Sequence, residues 1–183
     1  MDGRIDLLPV GEASTLNRVQ RQIYDNNLRV QVGNRAPPGF PTFVREGFDM
    51  TILADGFTRT ESGLFYQDFA VGDGARPLVG QQVQFNYTAF NESGRAIDSS
   101  YRQGKPGQVI LGNGVLIPGF DEGLQGMKVG GFRRIIVPPS LGPPVGPQTF
   151  FSAKQFEVFD IELLGTKNCE RRQSGMFSTV VCE

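Results

Sequence analysis

Apolar and polar residues alternate strictly along residues 82–89, near the middle of the chain. One face carries the apolar residues Val83, Phe85, Tyr87 and Ala89. This two-residue period is typical of an antiparallel strand with one buried face and one solvated face. Residues 91–94 predict a turn, because Asn and Gly tolerate positive φ angles. A second strand is then predicted over residues 96–99.

A helical period replaces the strand period after Pro118. Phe120, Leu124 and Met127 recur at i, i+4 and i+7, which predicts a short helix that packs one apolar stripe onto the sheet. Pro118 suits the first turn of that helix, where its missing N–H costs nothing. Further strands are predicted over residues 48–54, 62–69, 107–111, 132–137 and 156–164. The fold class is therefore α+β, an antiparallel sheet with one short helix.

The N-terminal extension, residues 1–47, has a different pattern. Apolar residues at helical spacing predict a short helix over residues 16–26. Prolines at 37, 38 and 41 break a helix and block strand pairing, so residues 34–41 are expected to form an extended spacer. Two interpretations remain open for this extension: a segment draped over the domain, or a docking arm for a larger partner.

Both cysteines lie in the C-terminal tail, residues 165–183, which leaves residues 48–164 as the central domain. Cys169 and Cys182 stand close together in sequence and are predicted to act as a pair. Three states stay open: free thiols, a structural disulfide, or a redox-switchable disulfide. A bridge closing a loop of about 14 residues would stabilise the protein by roughly 3 kcal/mol, and it would indicate an oxidising or redox-regulated compartment.

The amino-acid composition excludes several classes of catalytic and metal-binding site. The 183 residues include no histidine, which excludes Ser-His-Asp and Cys-His catalysis and histidine-ligated metal sites. A net charge of −1 gives no electrostatic reason to expect nucleic acid as a partner. No apolar run approaches the roughly 20 residues of a membrane helix, so no membrane insertion is expected. We expect neither a metal nor a cofactor. The N-terminus has no secretory h-region, and we expect any targeting peptide to be absent from this chain.

Six short motifs occur together, in the order Tyr87-Thr88, Ile97-Asp98-Ser99-Ser100, Leu111-Gly112, Ile117-Pro118-Gly119-Phe120, Met127-Lys128-Val129-Gly130 and Val158-Phe159-Asp160-Ile161. On these motifs, residues 63–164 resemble FKBP-type peptidyl-prolyl cis-trans isomerases. The resemblance implies a twisted antiparallel sheet wrapped around one short helix. It also implies isomerisation of X-Pro bonds in polypeptides.

The family pocket maps onto two sets of residues. The resemblance implies catalytic roles for Tyr87, Asp98, Ile117, Phe120 and Phe159. It implies substrate contacts for Ile97, Val109, Leu116 and Leu141. The residue pattern alone leaves a second interpretation open, in which the apolar members are ordinary core residues and Asp98 caps a turn.

Several positions depart from the family pattern. Family members usually have phenylalanine where this chain has Ile97, and another aromatic residue where it has Gly107. Where this chain has Leu141, they have a tyrosine whose hydroxyl binds the ligand. Phe120 stands in place of tryptophan, and Val109 in place of a bulkier residue. Each lost aromatic contact or hydrogen bond is worth about 0.5–1.5 kcal/mol, so the sum predicts an affinity lower by roughly two orders of magnitude.

The retained and the substituted pocket residues together leave two functions open. The first is a peptidyl-prolyl isomerase that assists protein folding or assembly. The second is a catalytically weak or inactive scaffold that acts as an assembly factor or as a subunit of a larger complex.

The extension, the Pro-rich flap expected over residues 138–147 and the cysteine tail together resemble the chloroplast thylakoid-lumen branch of the family. That resemblance implies a location in the thylakoid lumen and clients in photosynthetic complexes. It also implies that residues 1–47 dock onto a photosynthetic membrane complex. A further hypothesis is redox control through Cys169 and Cys182.

Overall fold

Residues 3–143 and 155–183 are described by the computed structural model of the protein. The chain forms two units. Unit 1 comprises Met1–Thr58 and Phe90–Ile97, and unit 2 comprises Arg59–Ala89 and Asp98–Glu183. The expected boundary between residues 47 and 48 falls inside unit 1. No helix among the described residues has both the length and the apolar character needed to span a membrane.

Unit 1 contains a three-stranded sheet and a long helix. Its strands are β1 (Ile5–Leu8), β2 (Thr42–Glu46) and β3 (Asp49–Leu53), in the order β1-β3-β2. Strand β1 runs parallel to β3, and β2 runs antiparallel to it. A 3-10 helix over Val10–Thr15 precedes helix α1 (Arg18–Gly33). Residues 34–41 connect α1 to β2 through two turns and not as one extended spacer.

Helix α1 is longer than the apolar pattern predicts. It begins after Asn17, whose side chain accepts from the Gln20 N–H while the Gln20 side chain accepts from the Asn17 N–H, a capping box. Its second half is held by polar residues: Asn27 Nδ2 donates to the Phe43 carbonyl at 2.6 Å, and Gln31 Nε2 donates to the Pro41 carbonyl at 2.9 Å. Because these anchors are amides, the apolar spacing ends before the helix does.

The principal sheet has seven strands. They are β4 (Thr58–Arg59), β5 (Phe65–Ala70), β6 (Gln82–Phe90), β7 (Ala96–Ser99), β8 (Gly107–Ile110), β9 (Phe132–Val137) and β10 (Glu157–Lys167). The strand order is β4-β5-β9-β10-β6-β7, and β8 pairs with β6. The pairings β10–β9, β5–β9 and β6–β8 are antiparallel. The strands expected over residues 82–90, 96–99, 107–111, 132–137 and 156–164 are thus confirmed, as is the α+β class.

Helix α3 (Pro118–Gln125) packs its apolar stripe into the core, and the one-turn helix α2 (Ser100–Gln103) follows β7. Phe120 and Leu124 are buried on α3, and Met127 is buried directly after it, as the i, i+4, i+7 spacing predicts. A Cβ atom built on Gly119 would lie 2.7 Å from Cγ1 of Val137. The missing side chain at Gly119 therefore lets the first turn of α3 lie directly against β9.

The C-terminal tail forms a hairpin of β11 (Cys169–Ser174) and β12 (Phe177–Cys182). The two strands make a separate two-stranded sheet. Cys169 pairs with Cys182 in the register, and a disulfide joins them. Of the three cysteine states left open by the sequence, the structure contains the disulfide.

The expected flap is described only in its first part. Pro139–Leu141 form a 3-10 turn directly after β9. Residues 144–147 of the expected flap lie outside the described residues.

Candidate functional site

A tyrosine and an aspartate are hydrogen-bonded to each other between β6 and β7. The hydroxyl of Tyr87 on β6 donates to Oδ2 of Asp98 on β7 at 2.7 Å. The Tyr87 N–H donates to Oγ of Ser100 at 2.8 Å, which fixes the backbone beside the ring. Oδ1 of Asp98 accepts from the Ser99 N–H at 2.8 Å and from Nε2 of Gln103 at 2.9 Å. Both side chains are thus oriented before any ligand arrives.

This hydrogen bond also sets the charge of the pair. The Tyr87 hydroxyl holds the pKa of the Asp98 carboxyl below its ordinary value, with help from the Ser99 N–H and Gln103. Burial raises the pKa of Tyr87, and the hydrogen bond to Asp98 raises it further. At neutral pH the pair is therefore a carboxylate beside a neutral phenol. A carboxylate offers about four lone-pair positions, so Asp98 keeps acceptor capacity for a ligand donor.

Four aromatic rings form a contiguous group, which we call the aromatic cluster: Phe85, Tyr87, Phe120 and Phe159. Phe120 is its centre, at 5.1 Å from the Phe85 ring centroid, 6.0 Å from Tyr87 and 5.0 Å from Phe159. The contacts with Tyr87 and Phe159 are edge-to-face, the arrangement that ring quadrupoles favour. The cluster supplies an apolar floor beside the polar Tyr87–Asp98 pair.

The smaller apolar residues border this floor. Val109, Leu116, Ile117 and Leu141 are partly buried and pack against the core that contains the cluster. Ile117 is the N-cap of α3, and its carbonyl accepts from the N–H groups of Phe120 and Asp121. Its own N–H precedes the helix and is not used in the helical ladder. Leu141 lies against the first turn of α3, with its Cβ 3.3 Å from a Cβ built on Gly119.

Ile97 differs from these residues in its exposure. It precedes Asp98 on β7, and 53% of its surface is exposed. The other eight residues expected in the pocket lie in the aromatic cluster, in the Tyr87–Asp98 pair or on the border of the floor.

Helix α3 is fixed at its C-terminal end by a buried arginine. Arg133 on β9 donates from Nη1 to the Gly123 carbonyl at 3.1 Å and from Nη2 to the Gly126 carbonyl at 3.2 Å. Its Nε and Nη2 also bind both carboxylate oxygens of Asp68 on β5, at 2.7 and 3.0 Å. A cation near the C-terminal carbonyls of a helix is favourable. Arg133 thereby holds the helix whose first turn carries Ile117 and Phe120.

Phe85 belongs to the cluster although the family resemblance gives it no site role. It lies on β6 two residues before Tyr87, and its ring contacts both Tyr87 and Phe120. Because residues i and i+2 share a strand face, the alternation that selected Tyr87 also contains the signal for Phe85.

A cavity of about 580 Å³ lies away from the cluster. It is bordered by Tyr66 and Asp68 of β5, by Glu122 and Gln125 of α3, and by Arg133. Arg133 and Asp68 are already paired with each other, so the charges of these two lining residues are satisfied without a ligand. The aromatic cluster, where an oriented carboxylate adjoins an apolar floor, is the stronger candidate site.

The chain is similar to known proteins in both sequence and structure. The family model described as FKBP-type peptidyl-prolyl cis-trans isomerase matches residues 74–164. The chain is 56% identical over 165 residues to an Arabidopsis thaliana protein named peptidyl-prolyl cis-trans isomerase FKBP20-2, chloroplastic, covering 89% of this chain and 68% of the relative. It is 48% identical over 87 residues to the Arabidopsis thaliana protein FKBP16-3, chloroplastic, covering 48% of this chain and 39% of that relative. The crystal structure of AtFKBP13 matches with a TM-score of 0.54 at 33% identity, over 60% of this chain and 97% of that one.

Proposed function

The chain belongs to the FKBP-type peptidyl-prolyl cis-trans isomerases, and from that premise we propose that the aromatic cluster, with Asp98 and Ile117, is its isomerisation site. The observation that carries this proposal is the Tyr87–Asp98 hydrogen bond of 2.7 Å at the edge of the cluster. The aromatic cluster provides an apolar surface for a proline ring, and Asp98 and Ile117 provide polar groups for the adjoining amide.

Such a site suits the reaction because rotation about an X-Pro bond passes through a twisted amide. The barrier of about 18–20 kcal/mol reflects lost amide resonance, and a catalyst lowers it by binding the twisted form better than the planar forms. The twisted amide has less charge separation, so an apolar floor of Phe120 and Phe159 tolerates it well. On this proposal the N–H of Ile117 donates to the carbonyl that precedes the proline, and Asp98 accepts from ligand donors. No covalent bond is made or broken.

We propose that the protein acts in the chloroplast, on chloroplast proteins. The relatives FKBP20-2 and FKBP16-3 are both named chloroplastic. The extension and the disulfide-bonded tail favour the thylakoid lumen, with proline-containing subunits of photosynthetic complexes as clients. We further propose that reduction of the Cys169–Cys182 disulfide alters the activity or binding of the protein.

A second candidate function is that of a catalytically weak scaffold. Leu141 has no hydroxyl to offer a ligand, and Ile97 and Gly107 have no aromatic ring where the family resemblance implies one. Helix α1 also exposes apolar residues, above all Val19 and Val32. On this alternative the protein holds a photosynthetic membrane complex through residues 1–47 while its pocket contributes little catalysis.

The two functions are separated by cis-trans exchange of a Leu-Pro peptide, measured by NMR with and without the protein in both thiol states. The isomerase proposal expects acceleration that falls at least tenfold in Phe159→Ala and in Asp98→Ala. Phe177→Ala, which removes a ring exposed on the hairpin, is the matched control and should leave exchange unchanged. An exchange rate equal to the uncatalysed rate in both thiol states would reject catalysis and favour the scaffold.

A further inference from the structure

The turn between β6 and β7, residues 91–95, is bound by two side chains that lie much earlier in the chain. Asn34, at the end of α1, donates from Nδ2 to the Ser93 carbonyl at 2.9 Å and to Oγ of Ser93 at 3.3 Å. Arg45 on β2 donates from Nη2 to Oε1 of Glu92 and forms an ion pair with it. All four residues belong to unit 1. The turn is thus held from 59 and 47 residues away in the sequence.

Apolar contacts support these polar ones. The rings of Phe40 and Phe90 meet edge to face with their centroids 5.4 Å apart, and both rings are buried. A Cβ atom built on Gly94 would lie 2.6 Å from the Cβ of Ala36, so the backbone of the turn lies directly against the segment that follows α1. The last residue of β6 and three residues of the turn therefore each have a partner among residues 34–45.

The two strands that leave this turn carry the Tyr87–Asp98 pair. Tyr87 lies three residues before the end of β6, and Asp98 is the third residue of β7. Strand β7 has only four residues and stands at the end of the strand order, so few ladder hydrogen bonds can fix its register against β6. In a hairpin the turn helps to set that register, and a slip of one residue moves every side chain to the other face. A slipped or frayed β7 would therefore break the 2.7 Å hydrogen bond between the Tyr87 hydroxyl and Asp98.

We propose that Asn34 and Arg45 are positioning residues for the isomerisation site, because they fix the β6–β7 turn and with it the register that brings Tyr87 to Asp98. They act on the reaction through the turn and not by contact with the peptide. Residues 34–45 then serve the site even when no partner is docked on the extension. This inference rests on the proposed function, because it requires Tyr87 and Asp98 to belong to the site where the peptide binds.

The role of Asn34 is tested in the full chain against a matched variant of the same helix. Asn34→Ala removes the hydrogen bonds to Ser93, whereas Asn27→Ala removes an amide hydrogen bond that goes to the Phe43 carbonyl on β2 and not to the turn. We expect kcat/KM for a Leu-Pro peptide to fall about 2- to 10-fold in Asn34→Ala, the range of one hydrogen bond, and to be unchanged in Asn27→Ala. Equal losses in both variants would indicate general destabilisation and would overturn the proposal.

A second readout separates positioning from a loss of stability. The hydrogen bond from Tyr87 lowers the pKa of the Asp98 carboxyl, and NMR titration of the folded protein measures that pKa whether or not the protein is active. A loosened turn should raise the pKa of Asp98 in Asn34→Ala and leave it unchanged in Asn27→Ala. A pKa of Asp98 that is the same in Asn34→Ala and wild type would contradict the transmission from the turn to the pair.

The role of Arg45 is tested by exchanging the charges of its ion pair. Arg45→Glu places a second carboxylate beside Glu92, so kcat/KM should fall. Adding Glu92→Arg restores an opposite charge across the same contact, and kcat/KM should return towards the wild-type value. A folded double variant that is no more active than Arg45→Glu would overturn the role of Arg45.

Failure of the proposed function would look different from failure of this inference. A wild-type protein that does not accelerate exchange contradicts the isomerisation site itself, and the positioning role fails with it. An active wild-type protein whose kcat/KM and Asp98 pKa are both matched by Asn34→Ala overturns the role of the turn alone.

Discussion

Tyr87 and Asp98 depend on each other for their protonation states. The phenol donates its only hydrogen to the carboxylate, so ionising the tyrosine or protonating the aspartate would remove or reverse that bond. The pKa of Tyr87 is consequently raised and that of Asp98 lowered. Over the neutral range both remain in the form that presents a carboxylate acceptor to a ligand.

Removing the tyrosine hydroxyl should release this coupling. In Tyr87→Phe the largest cause of the lowered pKa of Asp98 is lost, so that pKa should rise towards its ordinary value, as measured by NMR titration of the Asp98 carboxyl. Tyr101→Phe is the matched control, because the Tyr101 hydroxyl donates to Glu162 at 2.9 Å and not to Asp98. An Asp98 pKa that is the same in Tyr87→Phe and wild type would show that the hydrogen bond does not hold in solution.

The same bond predicts how stability changes with acid. The folded-state pKa of Asp98 lies below its ordinary value of 3.8, so ionised Asp98 stabilises the fold above that pH. This contribution is lost as the pH falls through the folded-state pKa. The difference in unfolding free energy between wild type and Asp98→Asn should therefore be constant from about pH 5 to pH 8 and shrink in more acidic solution. Urea unfolding of both proteins at a series of pH values measures it, and a difference that grows below pH 4 would contradict the sign.

At the scale of elements, the position of α3 depends on the close approach of its first turn to β9. Gly119→Ala places a methyl group 2.7 Å from Cγ1 of Val137, and overpacking of this kind costs about 1–3 kcal/mol. We expect that loss of unfolding free energy in urea, together with weaker peptide binding, because Ile117 and Phe120 belong to the displaced segment.

Gly165→Ala is the control for this substitution, because a Cβ atom at Gly165 meets nothing within 4 Å. Its unfolding free energy should stay within about 0.5 kcal/mol of wild type. Equal losses in the two variants would mean that the Gly119–Val137 contact does not limit the position of α3.

The disulfide should stabilise one element and not the whole chain. Within the part of the chain that the structure describes, strands β11 and β12 pair only with each other, and an isolated two-stranded hairpin is marginal in water. Replacing both Cys169 and Cys182 by serine should therefore raise hydrogen exchange across residues 169–182 while β6, β9 and β10 keep their protection. Reduced wild type should match this variant. Protection of the hairpin that survives both treatments would show that the bond is not needed for its structure.

The sequence predicted elements where their signal is local. Strand β6 alternates over its whole length, and α3 combines a proline at its first position with an apolar stripe, so both were found. Strand β1 was missed because its four residues pair in parallel with β3, which lies more than 40 residues away in the sequence. The second half of α1 was missed because amide hydrogen bonds, and not apolar contacts, attach it to the segment that contains β2.

The residues of the candidate site were likewise predictable only where their signal lies within one segment of the sequence. Tyr87 and Asp98 lie within single short motifs, and the family resemblance carried by these motifs assigns both to one pocket. Phe85 shares a strand face with Tyr87, but its contact with Phe120 joins two segments that are distant in the sequence. Packing between distant segments is thus the part of the site that only the structure supplies.

At the scale of the whole molecule, the two units carry separate tasks in the proposed function. The aromatic cluster lies in unit 2, whereas α1, with its exposed apolar residues, lies in unit 1. Deleting residues 1–47 is a poor test of docking, because it removes β1 and β2, the partners of β3, and leaves the buried residues of β3 without their sheet. Surface substitutions that leave the sheet intact are the better test.

Docking through α1 is tested by Val19→Ser combined with Val30→Ser, because these residues lie about three turns apart on one face of the helix. These valines are 58% and 39% exposed on α1, so the change should leave the fold intact. If α1 docks onto a photosynthetic membrane complex, burial of two valines contributes enough that binding to solubilised thylakoid complexes should weaken tenfold or more, at roughly 1.5 kcal/mol or more per side chain. Cis-trans exchange should be unchanged, because the aromatic cluster is untouched. Met176→Ser with Phe177→Ser, an exposed apolar pair on the hairpin of unit 2, is the matched control. Equal binding by both double variants and wild type would exclude α1 as the docking surface, whereas loss only in the hairpin variant would transfer that role to the C-terminal tail.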